Sequence, residues 1–208
     1  MAAKSKEVKL KLLVLGGFLG SGKTTVLTSL ARYIIGDDPG EGYKVMVIKN
    51  EIGEVEVDDK LLRAGGLQVQ DMLAGCACCT LAGQLGPTIE QVREEYDPEY
   101  IIFEATGVAN PSSIVETVRN CMPELPIRSC TLVDAKRWPR IKPAIGHLVE
   151  DQIEGVDTII VNKVDLVDEA AADEVASDVH AMNPESLIFK VSALDGVDDS
   201  VWHAVLGE

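Results

Sequence analysis

Positive charge is scarce in this chain. Its 208 residues carry 19 Lys and Arg against 34 Asp and Glu, a formal net charge of −15. Phosphate backbones are held by neutralising cations, so the imbalance argues against a nucleic-acid partner and against attachment to an anionic membrane. Also missing is any uncharged apolar run near the ~18 residues that a membrane span requires. Lys4, Lys6, Lys9 and Lys11 precede Leu12-Leu13-Val14-Leu15 in the manner of a secretion signal, but cleavage there would cut into residues 16–25, the most informative stretch of the protein. The run reads instead as a buried first strand. An even set of spaced cysteines is lacking too. There are five, with three crowded at Cys76, Cys78 and Cys79, which speaks against a disulfide framework and for the reducing cytoplasm. No internal repeat, low-complexity tract or linker breaks the chain. With 46% hydrophobic and 25% charged residues, the expectation is one globular domain over 1–208.

What is present is a regular alternation. Short apolar, β-branched runs fall at 9–15, 44–48, 67–69, 101–103, 127–133, 158–161 and 187–191. Segments of helical period lie between them at about 23–35, 81–95, 111–122, 138–154, 169–182 and 198–206. Most runs are continuously hydrophobic, as strands covered on both faces must be. This predicts an α/β fold with a doubly wound, mostly parallel sheet, whose ligands bind at the carboxyl ends of the strands.

Gly17-Phe18-Leu19-Gly20-Ser21-Gly22-Lys23-Thr24 fits G-x-x-x-x-G-K-[ST], after one predicted strand and opening one predicted helix. The glycines let the backbone curl around phosphates with N–H groups inward, and the helix N-terminus adds a favourable dipole. Gly20, Ser21, Gly22, Lys23, Thr24 and Thr25 are the candidate phosphate-binding residues. Lys23 reaches for the β- and γ-phosphates, and the Thr24 hydroxyl is a candidate Mg²⁺ ligand. Further on, Asn162-Lys163-Val164-Asp165 follows another strand. A carboxylate such as Asp165 can accept from both the ring N–H and the exocyclic amine of guanine, a donor pair that adenine lacks. Asn162 is expected to tie the loop together, the Lys163 stem to cover the ring, and Ser192-Ala193 to offer a backbone N–H to the guanine oxygen.

Glu104 ends an apolar run and precedes Ala105-Thr106-Gly107, where a hard cation needs a carboxylate. With Lys23 and Thr24 it completes the candidate catalytic set. Glu51 and Asp58 follow the second strand as further Mg²⁺ candidates, with solvated loop acids as the competing reading. Cys76, Cys78 and Cys79 place three thiols within four residues, a set suited to Zn²⁺ or Cu(I), with cobalt or nickel also possible. No fourth ligand is evident, and an open position suits a site that hands metal on. Cys121 and Cys130 read as core residues. His147, His180 and His203 read as surface or satisfied side chains.

Taken together these stretches resemble the CobW-type family of metal-trafficking P-loop GTPases, which includes the nickel-insertion GTPases of urease and hydrogenase. The resemblance implies metal binding by Cys76, Cys78 and Cys79, and nucleotide and Mg²⁺ contacts by Lys23, Thr24, Glu104, Asn162 and Asp165. Three departures stand out. This chain reads Lys49-Asn50-Glu51 where the family usually has Glu-Asn-Glu, and Glu104-Ala105-Thr106-Gly107 where it has Glu-Ser/Thr-x-Gly. The family's usual second domain is not expected within these residues.

The expected activity is GTP hydrolysis to GDP, slow in isolation because no arginine finger or water-orienting Gln is visible in cis. Nucleotide state would be coupled to delivery of a metal or metallocofactor to a client metalloprotein or cofactor-assembly protein. A second chain can complete the thiolate site, so a GTP- or metal-dependent homodimer is a further expectation. The competing reading is a GTP-dependent chaperone that gates a metallo- or cobalamin-dependent enzyme, with the cysteines structural or redox-active. A small-molecule kinase is disfavoured by the guanine loop.

Overall fold

The computed structural model describes residues 10–36, 44–49, 67–71 and 81–208. Seven strands, β1 (Lys11–Gly17), β2 (Val45–Lys49), β3 (Leu67–Asp71), β4 (Tyr100–Glu104), β5 (Ile127–Asp134), β6 (Thr158–Asn162) and β7 (Leu187–Val191), form one sheet in the order β3-β2-β4-β1-β5-β6-β7. Every pairing is parallel. The described helices are α1 (Lys23–Ile35), α2 (Leu81–Tyr96), α3 (Pro111–Cys121), α4 (Trp138–Ile153), α5 (Glu169–Met182) and α6 (Asp199–Leu206). Among the described residues the sheet is wholly parallel, where the sequence predicts a mostly parallel one.

The central strand shows why its residues are apolar without alternation. Leu13 and Leu15 of β1 pack toward α1 and α6, with Leu27, Leu30 and Trp202. Leu12 and Val14 point the opposite way, toward α2 and α3, with Leu85, Ile89 and Ile114. Successive side chains thus enter two different cores, as a strand sandwiched between helix layers requires. A third cluster joins Val133, Ile159 and Val161 of β5 and β6 to Trp138 and Val149 of α4 and to Val175 and Val179 of α5. The starts of α3, α5 and α6 are fixed by side-chain caps. Asn110 accepts from Ser113 N at 3.1 Å, Asp168 from Ala171 N at 2.8 Å and Asp198 from Ser200 N at 2.9 Å.

Three details depart from the sequence reading. The helix expected over 138–154 is two segments, broken at Ile145 (φ −139°, ψ 38°) two residues beyond Pro143, whose ring removes a helix donor. β7 is an edge strand, with Leu187 about half exposed and Lys190 paired outside to Asp173, so its apolar run is covered far less than those of the inner strands. Cys121 is exposed at the end of α3 and is not a core residue, because the last turn of the helix leaves the packed face formed by Ile114, Val115 and Val118. Cys130 is fully buried, as read from its strand, and burial pushes its thiol up to about 12.

Candidate nucleotide site

The carboxyl ends of β1, β4, β5, β6 and β7 deliver the loops that carry the chemistry. Between β1 and α1, three glycines take left-handed backbone: Gly17 (φ 128°), Gly20 (φ 78°) and Gly22 (φ 101°). At Gly17 a Cβ would come within 2.7 Å of Leu132 O, and at Gly22 it would collide with the Asn162 amide. The turn is closed by Ser21 N donating to Phe18 O at 3.1 Å. Lys23 is 8% exposed and lies back along the loop, with Nζ donating to Gly17 O at 2.7 Å and Phe18 O at 3.4 Å. Ser21 Oγ is buried and has no hydrogen-bond partner among the described residues. A glycine cradle closed to Cβ atoms, a lysine folded into it and an unpartnered buried hydroxyl fit a bound phosphate chain. Thr24 is exposed at the first turn of α1 and Thr25 is half-buried.

Asn162, 2% exposed, joins two of these loops. Its Nδ2 donates to Ser21 O at 2.9 Å, and its Oδ1 accepts from Ala193 N at 3.1 Å. Lys163 follows in the left-handed region (φ 65°), and its ammonium donates to Gly20 O and pairs with Asp134 Oδ2 at 2.6 Å. Asp165 stands exposed in the short 3-10 turn Val164–Leu166. Ser192 and Ala193 are half-buried just after β7, and Ser192 Oγ has no partner among the described residues. The phosphate-loop and guanine-loop candidates are therefore one connected unit.

Glu104 ends β4, in register with Leu15 on one side and Lys49 on the other. It is partly exposed, whereas Lys49 is 3% exposed. The loop that follows returns to the phosphate loop, because a Cβ at Gly107 would lie 3.0 Å from Leu19 N. Glu51, Asp58, Cys76, Cys78 and Cys79 lie outside the described residues. Among the described residues no group of three or more His, Cys, Asp or Glu is placed to hold a metal ion. His147, His180 and His203 are exposed, and His203 meets the Tyr33 hydroxyl at 3.1 Å.

Sequence reasoning missed three residues of this edge. Asp134 closes β5 and is 5% exposed. The signal was available, since an acid ends the apolar run 127–133 just as Glu104 ends 101–103. Arg137 donates from Nη1 to Leu19 O at 2.7 Å, and nothing in its local sequence marks it. Gln152, 1% exposed on α4, accepts from Gly17 N at 2.8 Å and donates to Ala109 O, so one amide joins the start of the phosphate loop to the loop after Glu104. Its position on a helix gave no hint of that.

A family model described as the CobW/HypB/UreG nucleotide-binding domain matches residues 11–190. The chain is 29% identical over 222 residues to zinc-regulated GTPase metalloprotein activator 1 of Dictyostelium discoideum, covering 88% of this chain and 46% of that protein. It is 32% identical over 166 residues to the zinc chaperone YjiA of Escherichia coli strain K12, covering 76% and 50%. The chain spans about half the length of the curated relatives it matches. Among solved structures, Zn(II)-bound YjiA GTPase from E. coli superposes with a TM-score of 0.64 at 26% identity, covering 95% of this chain and 62% of that one. HypB from Helicobacter pylori in complex with nickel gives 0.60 at 21% identity, covering 96% and 85%, a likeness of fold.

Proposed function

This chain belongs to the CobW/HypB/UreG family, and from that premise we propose that it binds and hydrolyses GTP and couples its nucleotide state to delivery of zinc, or another transition metal, to a client protein. The observation that carries the nucleotide part is the Asn162 side chain, which ties Ser21 of the phosphate loop to Ala193 of the last loop. A guanosine nucleotide would lie along that tie, its base between Asp165 and Ala193 and its phosphates in the glycine cradle.

In this reading each residue has a chemical task. The amides of 20–25 and the helix N-terminus hold the phosphate oxygens, and Lys23 leaves the carbonyls of Gly17 and Phe18 to pair with them. Trading two carbonyl partners for phosphate oxygens replaces neutral acceptors by charged ones, which form roughly twice as strong hydrogen bonds. Thr24 and Glu104 would hold Mg²⁺, which when bound neutralises charge that develops on the phosphate oxygens. Asp165 selects guanine, since an adenine there leaves its carboxylate without the paired donors. Cys76, Cys78 and Cys79 are proposed to bind the cargo ion as thiolates, with Glu51 and Asp58 in the segment that responds to the nucleotide.

The names of the relatives, zinc chaperones and a zinc-regulated GTPase metalloprotein activator, support zinc as the cargo. A client metalloprotein as the recipient follows from the same names. No helix among the described residues is long and apolar enough to cross a membrane.

Phosphate release from GTP, with ATP as the control, tests the enzymatic half. Slow release from GTP, none from ATP and loss of both binding and release in Lys23→Ala are expected. Equal use of ATP would overturn the guanine assignment. Zinc content of anaerobically purified protein tests the other half: it should fall in Cys78→Ala, and an unchanged content removes the cysteines from metal binding.

A further inference from the structure

Asp134 has no task in the reading above, yet its carboxylate sits under the phosphate loop. It ends β5 in register with Asn162 of β6 and is 5% exposed. A carboxylate taken out of water is costly unless paired and hydrogen-bonded. Here both oxygens are used. Oδ1 accepts from Arg137 N at 3.0 Å, and Oδ2 pairs with Lys163 Nζ at 2.6 Å.

The two residues it holds then do the same thing one position apart. Arg137 donates from Nη1 to Leu19 O at 2.7 Å, and Lys163 donates from Nζ to Gly20 O. Because the peptide unit is planar, fixing a carbonyl fixes the plane it shares with the next N–H. The grip on Leu19 O therefore sets the direction of Gly20 N–H. The grip on Gly20 O sets that of Ser21 N–H, which closes the turn onto Phe18 O at 3.1 Å. Lys163 does this from the left-handed region (φ 65°), which costs a non-glycine residue roughly 1–2 kcal/mol and persists only where the surroundings over-determine it. The Asp134 ion pair, the contact to Gly20 O and the neighbouring Asn162 tie are those surroundings.

We infer that Asp134 is a positioning residue that presses Lys163 and the Arg137 turn onto successive carbonyls of the phosphate loop, so that the guanine-selecting loop and the phosphate cradle move as one body. This rests on the nucleotide-site reading and deepens it: base identity is felt by the phosphate loop through Asp134 and Lys163. Removing the carboxylate frees Lys163 from its set position, and the cradle loses both affinity and part of its preference for guanine.

The test is a double-mutant cycle in the affinity of a fluorescent GDP analogue, at fixed salt, for wild type, Asp134→Asn, Lys163→Ala and the double variant. Asp134→Asn is expected to weaken binding by about tenfold in the wild-type background and by no more than about twofold once Lys163 is alanine. It should also narrow the preference for GDP over ADP, which a merely stabilising residue would not alter. An equal factor in both backgrounds, with the GDP/ADP ratio unchanged, overturns the inference. Should Asp134→Asn fail to fold, Arg137→Ala, whose side chain is exposed, stands in. It is expected to weaken GDP by about threefold, and unchanged affinity counts against the inference. Wild-type protein that binds no GDP would remove the proposed function itself, a result distinct from normal GDP binding with additive variants.

Discussion

Replacing Asn162 by alanine isolates the tie on which the proposed nucleotide site depends. The side chain makes two bonds, to Ser21 O at 2.9 Å and from Ala193 N at 3.1 Å. The two losses are unequal. Ser21 is 1% exposed, so its carbonyl is left unpaired away from water, at a cost of about 1–3 kcal/mol. Ala193 is half-buried, and water can replace the lost acceptor, at a cost of about 0.5–1 kcal/mol. The sum, about 1.5–4 kcal/mol, appears wherever the loop is required to hold its bound shape. If the free loop relaxes, the loss moves from folding stability into ligand affinity. A drop of about 10- to 700-fold in GDP affinity is then expected, because 1.4 kcal/mol is a factor of ten. Titration with a fluorescent GDP analogue, paired with urea melts of the ligand-free protein, measures both shares. Asn162→Ala binding GDP within threefold of wild type, with unchanged stability, would refute the reasoning.

Three further outcomes follow from contacts away from that tie. Gln152→Leu removes both the acceptor for Gly17 N and the donor to Ala109 O in a site that is 1% exposed, and should destabilise the fold by about 2–4 kcal/mol in urea melts; a change below 1 kcal/mol contradicts this. Burial raises the Asp178 pKa, but the bonds from Lys142 at 2.8 Å and Trp138 Nε1 at 2.7 Å outweigh it and hold the carboxyl below its ordinary 3.8. A depressed carboxyl stabilises above its unfolded value and loses that contribution as pH falls through the folded one. The stability gap between wild type and Asp178→Ala should therefore be constant above about pH 5 and shrink below pH 4, and a gap unchanged down to pH 3 would contradict it. In protein with Cys76, Cys78 and Cys79 replaced by serine, a neutral alkylating agent should label Cys121 quickly and reach Cys130 only on unfolding, since Cys130 is fully buried and its thiol is pushed up to about 12. Two fast thiols would be inconsistent with that burial.

The sheet was legible because burial on both faces writes itself into a strand as an unbroken apolar run, as in Leu12 to Leu15. β7 read the same way, but edge position is set by strand order, which local pattern does not encode. The break at Ile145 was foreshadowed by Pro143, yet a proline marks a kink without giving its place. At the site, Gly17 to Thr24 and Asn162 to Asp165 were legible as strand-end loops because their spacing follows from the ligand chemistry proposed for them, and Asn162 joins the two. Asp134 carried the same strand-end signal as Glu104 and went unread, since no partner for it is visible until β5 and β6 pair. Arg137 and Gln152 act through side chains that reach across the fold to backbone carbonyls and amides. Contacts of that kind leave no spacing to find, because a main-chain partner looks the same at every residue.

The central claim, that nucleotide and cargo metal are coupled within this chain, is tested most directly by zinc affinity in two nucleotide states. A competition titration with a chelator, run with GDP and with a non-hydrolysable GTP analogue, should give dissociation constants that differ by about 5- to 150-fold, the range of a 1–3 kcal/mol coupling. Linkage requires zinc to shift the ratio of the two nucleotide affinities by the same factor. Identical zinc affinity in the two states would contradict the account.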